Sequence, residues 1–116
     1  MDYPVFTATD KYIRDNPKVI QAWTDVVARA EKYVKDTPAA TLTPQIMTFF
    51  PGMDQGAVTE AIERYKQYQI WKTSPLVTAE AMAKLQDMLV ASAVMKETAR
   101  VKYEDVVVAD FAKKVP

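Results

Sequence analysis

Residues 16–35, NPKVIQAWTDVVARAEKYVK, are the stretch on which the fold turns. Val19, Ile20, Trp23, Val26, Val27, Ala30, Tyr33 and Val34 recur at three- and four-residue steps, which is the period of one helix face. Lys18, Gln21, Asp25, Arg29, Lys32 and Lys35 take the opposite side. Asn16 is a favourable N-cap residue, and Pro17 suits the first helical position, where its missing N–H costs nothing. The spacing predicts an amphipathic helix over residues 17–35, about five turns long.

Toward the N-terminus, Tyr3 to Thr9 (YPVFTAT) is β-branched and aromatic. It reads as a short strand over residues 3–9, the one strand in the chain, and Asp10 to Asp15 as a single helical turn after it. A lone strand cannot satisfy its own backbone groups, so this one needs a partner from elsewhere. Toward the C-terminus, Thr37-Pro38 and Thr43-Pro44 each repeat the cap-then-proline signal for a short helix. The second start leads a helix over 44–50 with Ile46, Met47, Phe49 and Phe50, stopped by Pro51-Gly52. Asp54 caps a helix over 54–72, whose face runs Val58, Ala61, Ile62, Tyr65, Tyr68 and Trp71 before the Thr73-Ser74-Pro75 break. Thr78 opens a helix over 78–95 with Met82, Leu85, Met88, Leu89, Ser92 and Ala93 on its apolar stripe. Lys96 to Arg100 is a polar stretch, and a last helix covers 103–114. The chain reads as a single domain over 1–116, with no internal repeat or low-complexity tract.

Composition narrows the chemistry. The 116 residues are 49% hydrophobic and 26% charged, with balanced charge, which suits one folded domain with a modest core. No His and no Cys occur, so the usual neutral-pH acid/base, the commonest metal ligand, thiolate nucleophiles, zinc fingers and disulfides are absent. The expectation is a protein that is not an enzyme, with no catalytic residue, no metal site and no cofactor. Fifteen basic residues against fifteen acidic ones leave no surplus for phosphate neutralisation, so nucleic acid is not an expected partner. Apolar runs such as Met88 to Ala91 and Val106 to Ala109 fall far short of the ~20 residues that span a bilayer. Met1-Asp2-Tyr3-Pro4 does not start a signal peptide, so the chain as it stands reads as cytoplasmic.

Few residues invite a functional role. Gly52 and Gly56 cannot form a phosphate loop. Glu60/Glu63 and Glu104/Asp105 sit at helix-surface or helix-start positions and read as solvated or capping charges. Tyr65, Tyr68 and Trp71, three residues apart on the 54–72 helix, line one face that suits core, interface or a flat ligand. Trp23 lies in an apolar stripe, and Met47, Met82, Met88 and Met95 fall on apolar faces as gap fillers.

Several segments together carry a family resemblance. They are Phe6-Thr7-Ala8-Thr9-Asp10-Lys11-Tyr12-Ile13, Asn16 to Trp23 (NPKVIQAW), Ala61-Ile62-Glu63-Arg64-Tyr65 followed by Trp71 and Pro75, and Tyr103-Glu104-Asp105-Val106-Val107 followed by Phe111-Ala112. In this order the chain resembles the C-terminal part of the solute-binding protein of an ABC transporter, of the nitrate/sulfonate/taurine and thiamine-pyrimidine-precursor (NMT1/THI5-like) family. The resemblance covers nearly the whole chain.

It implies a fold that is mainly α with one N-terminal strand, the helical C-terminal fragment of a two-lobed periplasmic-binding-protein (type II) α/β fold. It also implies a function: in full length, capture of a small nutrient (nitrate, sulfonate/taurine or a thiamine-pyrimidine-like solute) for uptake. Solute and ABC permease would be the partners, in the periplasm or another extracytoplasmic space. An enzymatic relative makes a thiamine pyrimidine with an active-site His, which this chain does not have. No ligand-binding residue carries over; Thr7 to Asp10, at a strand end leading into a helix, is the one segment placed for a cleft contact. The unpartnered strand and apolar helix faces predict a homo-oligomer of this chain, by strand pairing or exchange. The alternative is a free-standing cytoplasmic helical protein-interaction module.

Overall fold

A computed structural model describes residues 5–115. Among them are α1 (Asp10–Asp15), α2 (Pro17–Asp36), α3 (Ala39–Met47), α4 (Gln55–Gln67), α5 (Ala79–Ala91) and α6 (Tyr103–Val106), with short 3-10 turns at Glu97–Ala99 and Ala112–Lys114. The chain divides into a middle unit, Asp25–Pro75, and a terminal unit made of residues up to Thr24 and from Leu76 onward. One of the two boundaries, between Thr24 and Asp25, falls inside α2; the other, between Pro75 and Leu76, falls between α4 and α5.

The middle unit holds the core. α3 packs against α4, burying Ala39, Leu42, Val58 and Ile62, with Val34, Ile46 and Met47 closing around them. Leu42 is the most buried of the apolar residues, at 2% exposed. Full burial of such a side chain stabilises by about 1.5–3 kcal/mol. Thr43 is fully buried between the same two helices. Its Oγ1 donates to the Ala39 carbonyl at 2.9 Å and lies 2.8 Å from Thr59 Oγ1, which itself donates to the Gln55 carbonyl at 2.9 Å. Two hydroxyl protons thus serve three contacts, so the Thr43–Thr59 contact competes with a back-bond to one helix or the other. Lys66 Nζ donates to the Thr37 carbonyl, tying α4 to the end of α2.

The terminal unit has no buried residue among those described. Polar ties hold its segments. Gln86 accepts from the Val101 amide at 2.9 Å and returns a bond to the Val101 carbonyl at 3.2 Å. Tyr103 Oη donates to the Val77 carbonyl at 2.8 Å, and Gln21 Nε2 to the Phe111 carbonyl at 3.1 Å. Arg100 spans Asp87 at 2.8 Å and Glu97 at 2.6 Å.

The structure overturns the expected fold class. It is helical, with no strand and no sheet among the described residues, so it is not the mixed α/β fold with an N-terminal strand. Tyr3 and Pro4 lie outside the described residues. Residues 5–9 are irregular, with Val5 52% and Phe6 73% exposed, and no neighbouring strand offers them a ladder. Local chemistry claims the segment instead. Thr9 caps α1, its Oγ1 accepting from the Tyr12 amide at 3.2 Å, and the Phe6 ring meets Trp23 edge-on at 5.1 Å. Oligomerisation by pairing or exchange of a 3–9 strand loses its element with it.

Helix ends also differ from the sequence reading, for identifiable reasons. α4 stops at Gln67 and α5 at Ala91, short of 72 and 95. Both close with the same C-terminal motif. Beyond α4, the Ile70 amide donates to the Tyr65 carbonyl and the Gln69 amide to that of Lys66; beyond α5, Val94 bonds Leu89 and Ala93 bonds Val90. Gln69 (φ 51°) and Ala93 (φ 57°) take the left-handed position that glycine usually fills, so nothing in the composition marks these stops. The two short helices expected after Pro38 and Thr43 are one, because Thr43 bonds backward into α3 and Pro44 sits inside it. Asn16 closes α1 as well as preceding α2, its side chain donating to the Tyr12 carbonyl at 3.2 Å. The segment 103–114 holds α6 and a 3-10 turn, separated by the extended Val107, by Val108 and by a turn over 109–111.

Candidate protein-interaction surface

The apolar residues of α2 form two stripes. Ile20, Val27 and Val34, seven residues apart, are half-buried. Val19, Trp23, Val26 and Tyr33 are about half exposed, at 47–51%, and Ala30 is exposed between the last two. Within the middle unit the second stripe opens a shallow depression of about 590 Å³, floored by Val26, Ala30, Tyr33 and Thr37 and edged by Arg29 and Asp36. The steps 26, 30, 33 and 37 alternate four and three, the spacing of a coiled-coil seam.

The rim is charged and ordered. Lys32 Nζ bonds Asp36 Oδ2 at 2.8 Å, one turn along the same helix. That bond, with the attraction of the two charges, draws Asp36 below the usual carboxylate range and holds Lys32 above the usual lysine range. Lys35 and Lys66 add smaller pulls on Asp36 in the same direction. Both groups therefore stay ionised across neutral pH and act as fixed charges rather than proton carriers. Tyr33 Oη and the Gln45 amide lie 2.9–3.2 Å apart, which fixes the ring at the floor. A drug-sized solute is ordinarily buried over 70–90% of its surface in its pocket. An open depression on one helix face does not enclose a small molecule that way.

The residues singled out from sequence scatter elsewhere. Thr7 and Ala8 are exposed in the irregular entry to α1, Thr9 is its cap and Asp10 its first residue, so that segment serves the helix start. Tyr65, Tyr68 and Trp71 do not share a helix face: Tyr65 is in α4, Tyr68 is its C-cap and Trp71 lies beyond the turn. The turn brings Trp71 back to Tyr65 edge-on at 5.5 Å and leaves Tyr68 66% exposed. Glu60 and Glu63 are exposed on α4, and Glu104 and Asp105 on α6. No group of His, Cys, Asp and Glu able to hold a metal ion occurs among the described residues. No helix among them is long and apolar enough to cross a membrane. In the sequence the apolar residues of α2 read as one buried stripe, which hides the depression; the seven-residue recurrence of 20, 27 and 34 is the signal that separates the two.

Similarity to known proteins runs along almost the whole chain. Over 113 residues, 97% of this chain, the sequence is 25% identical to the curated protein named "Putative binding protein YtlA" of Bacillus subtilis (strain 168). The chain spans about a third of that relative's length, 33%. No family model matches the chain, and no solved structure matches it significantly.

Proposed function

We propose that this chain is part of the solute-binding protein of an ABC importer of the nitrate/sulfonate/taurine and thiamine-pyrimidine-precursor (NMT1/THI5-like) kind. In this reading it helps capture a small nutrient outside the cytoplasm for delivery to a permease. The observation that carries the reading is the alignment of 97% of the chain with a protein whose name describes binding. The ordered segments from Phe6 to Ala112 that resemble the importer family support it. The solute's contacts are not assigned to the α2 depression, which is too open to enclose one. Uptake tests the proposal. Disrupting the locus in its source cells should abolish uptake of one among labelled nitrate, taurine and a pyrimidine precursor, and a plasmid copy should restore it. Undiminished uptake of all three overturns the reading.

A second reading, a helical protein-interaction module, is favoured by the half-exposed stripe on α2. Pull-down from source cells separates the two: a permease complex supports the importer, and a stable partner unrelated to transport supports the module.

A further inference from the structure

We propose that the seam of α2 from Val26 to Tyr33, continued by Thr37 just past the helix end where its amide still donates to the Tyr33 carbonyl, docks on the same seam of a second copy of this chain, antiparallel about a twofold axis between Glu31 and Lys32. The proposal rests on the surface geometry and not on the importer reading. Its floor is complementary to itself. With the axis in that place, Ala30 of one copy lies opposite Tyr33 of the other, so a small residue faces a large one in the two central layers, and Val26 lies opposite Thr37, a side chain of its own size, in the two outer ones. The edge is complementary too. Arg29 falls between the Val26 and Ala30 layers, and Asp36 between the Tyr33 and Thr37 layers. The antiparallel twofold therefore sets Arg29 of each copy beside Asp36 of the other, giving two cross-pairs.

A parallel arrangement fails this test. It would place Arg29 beside Val34, whose face is already half-buried within the chain. Lys32 does not compete for the outer side of Asp36, since it approaches from the preceding turn and occupies Oδ2. Twelve residues of overlap make a seam of about 18 Å, so the interface falls in the weak, reversible size class.

Sedimentation equilibrium over a micromolar concentration series should show a reversible monomer–dimer equilibrium for the unaltered chain. Arg29→Asp should weaken self-association about tenfold, because two Asp–Asp contacts replace two cross-pairs. Asp36→Arg should weaken it similarly. An equimolar mixture of these two variants should recover a dimer as strong as the original, because each chain then supplies what the other lacks. Circular dichroism checks that both variants keep their helices. The chain has no cysteine, so oxidising a mixture of Val26→Cys and Thr37→Cys chains gives an independent readout. A disulfide-linked heterodimer is expected in preference to either homodimer. A chain that stays monomeric throughout the series overturns the proposal. So does a mixture of charge variants no stronger than either alone, or cross-linking that favours a homodimer.

Discussion

The Trp71 ring meets the Tyr65 ring edge-on, centroids 5.5 Å apart, although the helix carrying Tyr65 has already ended at Gln67. The turn that permits this is held by the Ile70 amide on the Tyr65 carbonyl at 3.0 Å, with Gln69 at φ 51° between them. A residue with a Cβ pays about 1–2 kcal/mol for that conformation. Gln69→Gly and Ala93→Gly are therefore expected to stabilise the chain by about 0.5–1 kcal/mol each, after the extra unfolded-state freedom of glycine is counted. Thermal unfolding should show each midpoint rising by a few degrees. A fall at both positions would contradict the left-handed geometry.

Gly52 provides the opposite case. Its φ is 85°, and a Cβ placed there meets nothing within 4 Å, so a substitution costs backbone strain alone. Gly52→Ala should destabilise by about 1 kcal/mol, measured by urea unfolding. An unchanged midpoint would show that the Pro51-Gly52 turn relaxes freely.

The core of the middle unit is small, so each member matters. Leu42→Ala should cost about 2–5 kcal/mol. Thr43→Val should cost about 0.5–1.5 kcal/mol, the net worth of a hydrogen bond to Thr59, whose half-buried hydroxyl keeps its bond to the Gln55 carbonyl. The Thr43→Val/Thr59→Val double variant should cost less than the sum of the singles, a coupling that a double-mutant cycle in urea measures directly. Strict additivity would mean that the hydroxyl pair does not interact.

Acid and alkali should act through exposed ion pairs. Asp36 and Glu80 lie below the usual carboxylate range, held by hydrogen bonds from Lys32 and Lys84. Their contribution is complete above the unfolded carboxylate pKa, about 4, and is lost as pH falls through the lowered folded values. Lys32 and Lys84 are raised, so their contribution is complete below about 10.4 and is lost as pH rises through the folded values. Helicity followed by circular dichroism should be flat between these limits. Because the pairs are exposed, molar salt should flatten the losses at both ends. A helicity change centred near neutral pH would contradict this assignment.

In the terminal unit, Gln86 carries much of the order around Val101. Gln86→Leu removes both bonds to Val101 and should speed exchange of the Val101 amide, read by hydrogen–deuterium exchange. Unchanged protection there would mean that Arg100, through Asp87 and Glu97, holds the segment by itself.

Starts of helices were more legible than their ends. Pro17, Asp54 and Thr78 announce α2, α4 and α5 through side-chain chemistry that acts locally, and Asp54 and Thr78 each accept an amide three residues on. The stops after α4 and α5 rest on Gln69 and Ala93, residues with no turn signature, so the spacing of Tyr65, Tyr68 and Trp71 implies a helix that does not extend so far. Residue type alone points to a 3–9 strand, while strand formation needs a neighbour that no local pattern supplies. The interaction surface was half visible: the spacing of Val26, Ala30 and Tyr33 is in the sequence, whereas their exposure follows from which face of α2 the α3–α4 pair leaves uncovered.

The most direct test of the importer reading is calorimetric titration of the protein isolated from its source cells, captured through an antibody to this chain, with nitrate, taurine and a thiamine-pyrimidine precursor. Saturable binding of one of the three is predicted. No saturable heat with any of them would contradict the proposed function.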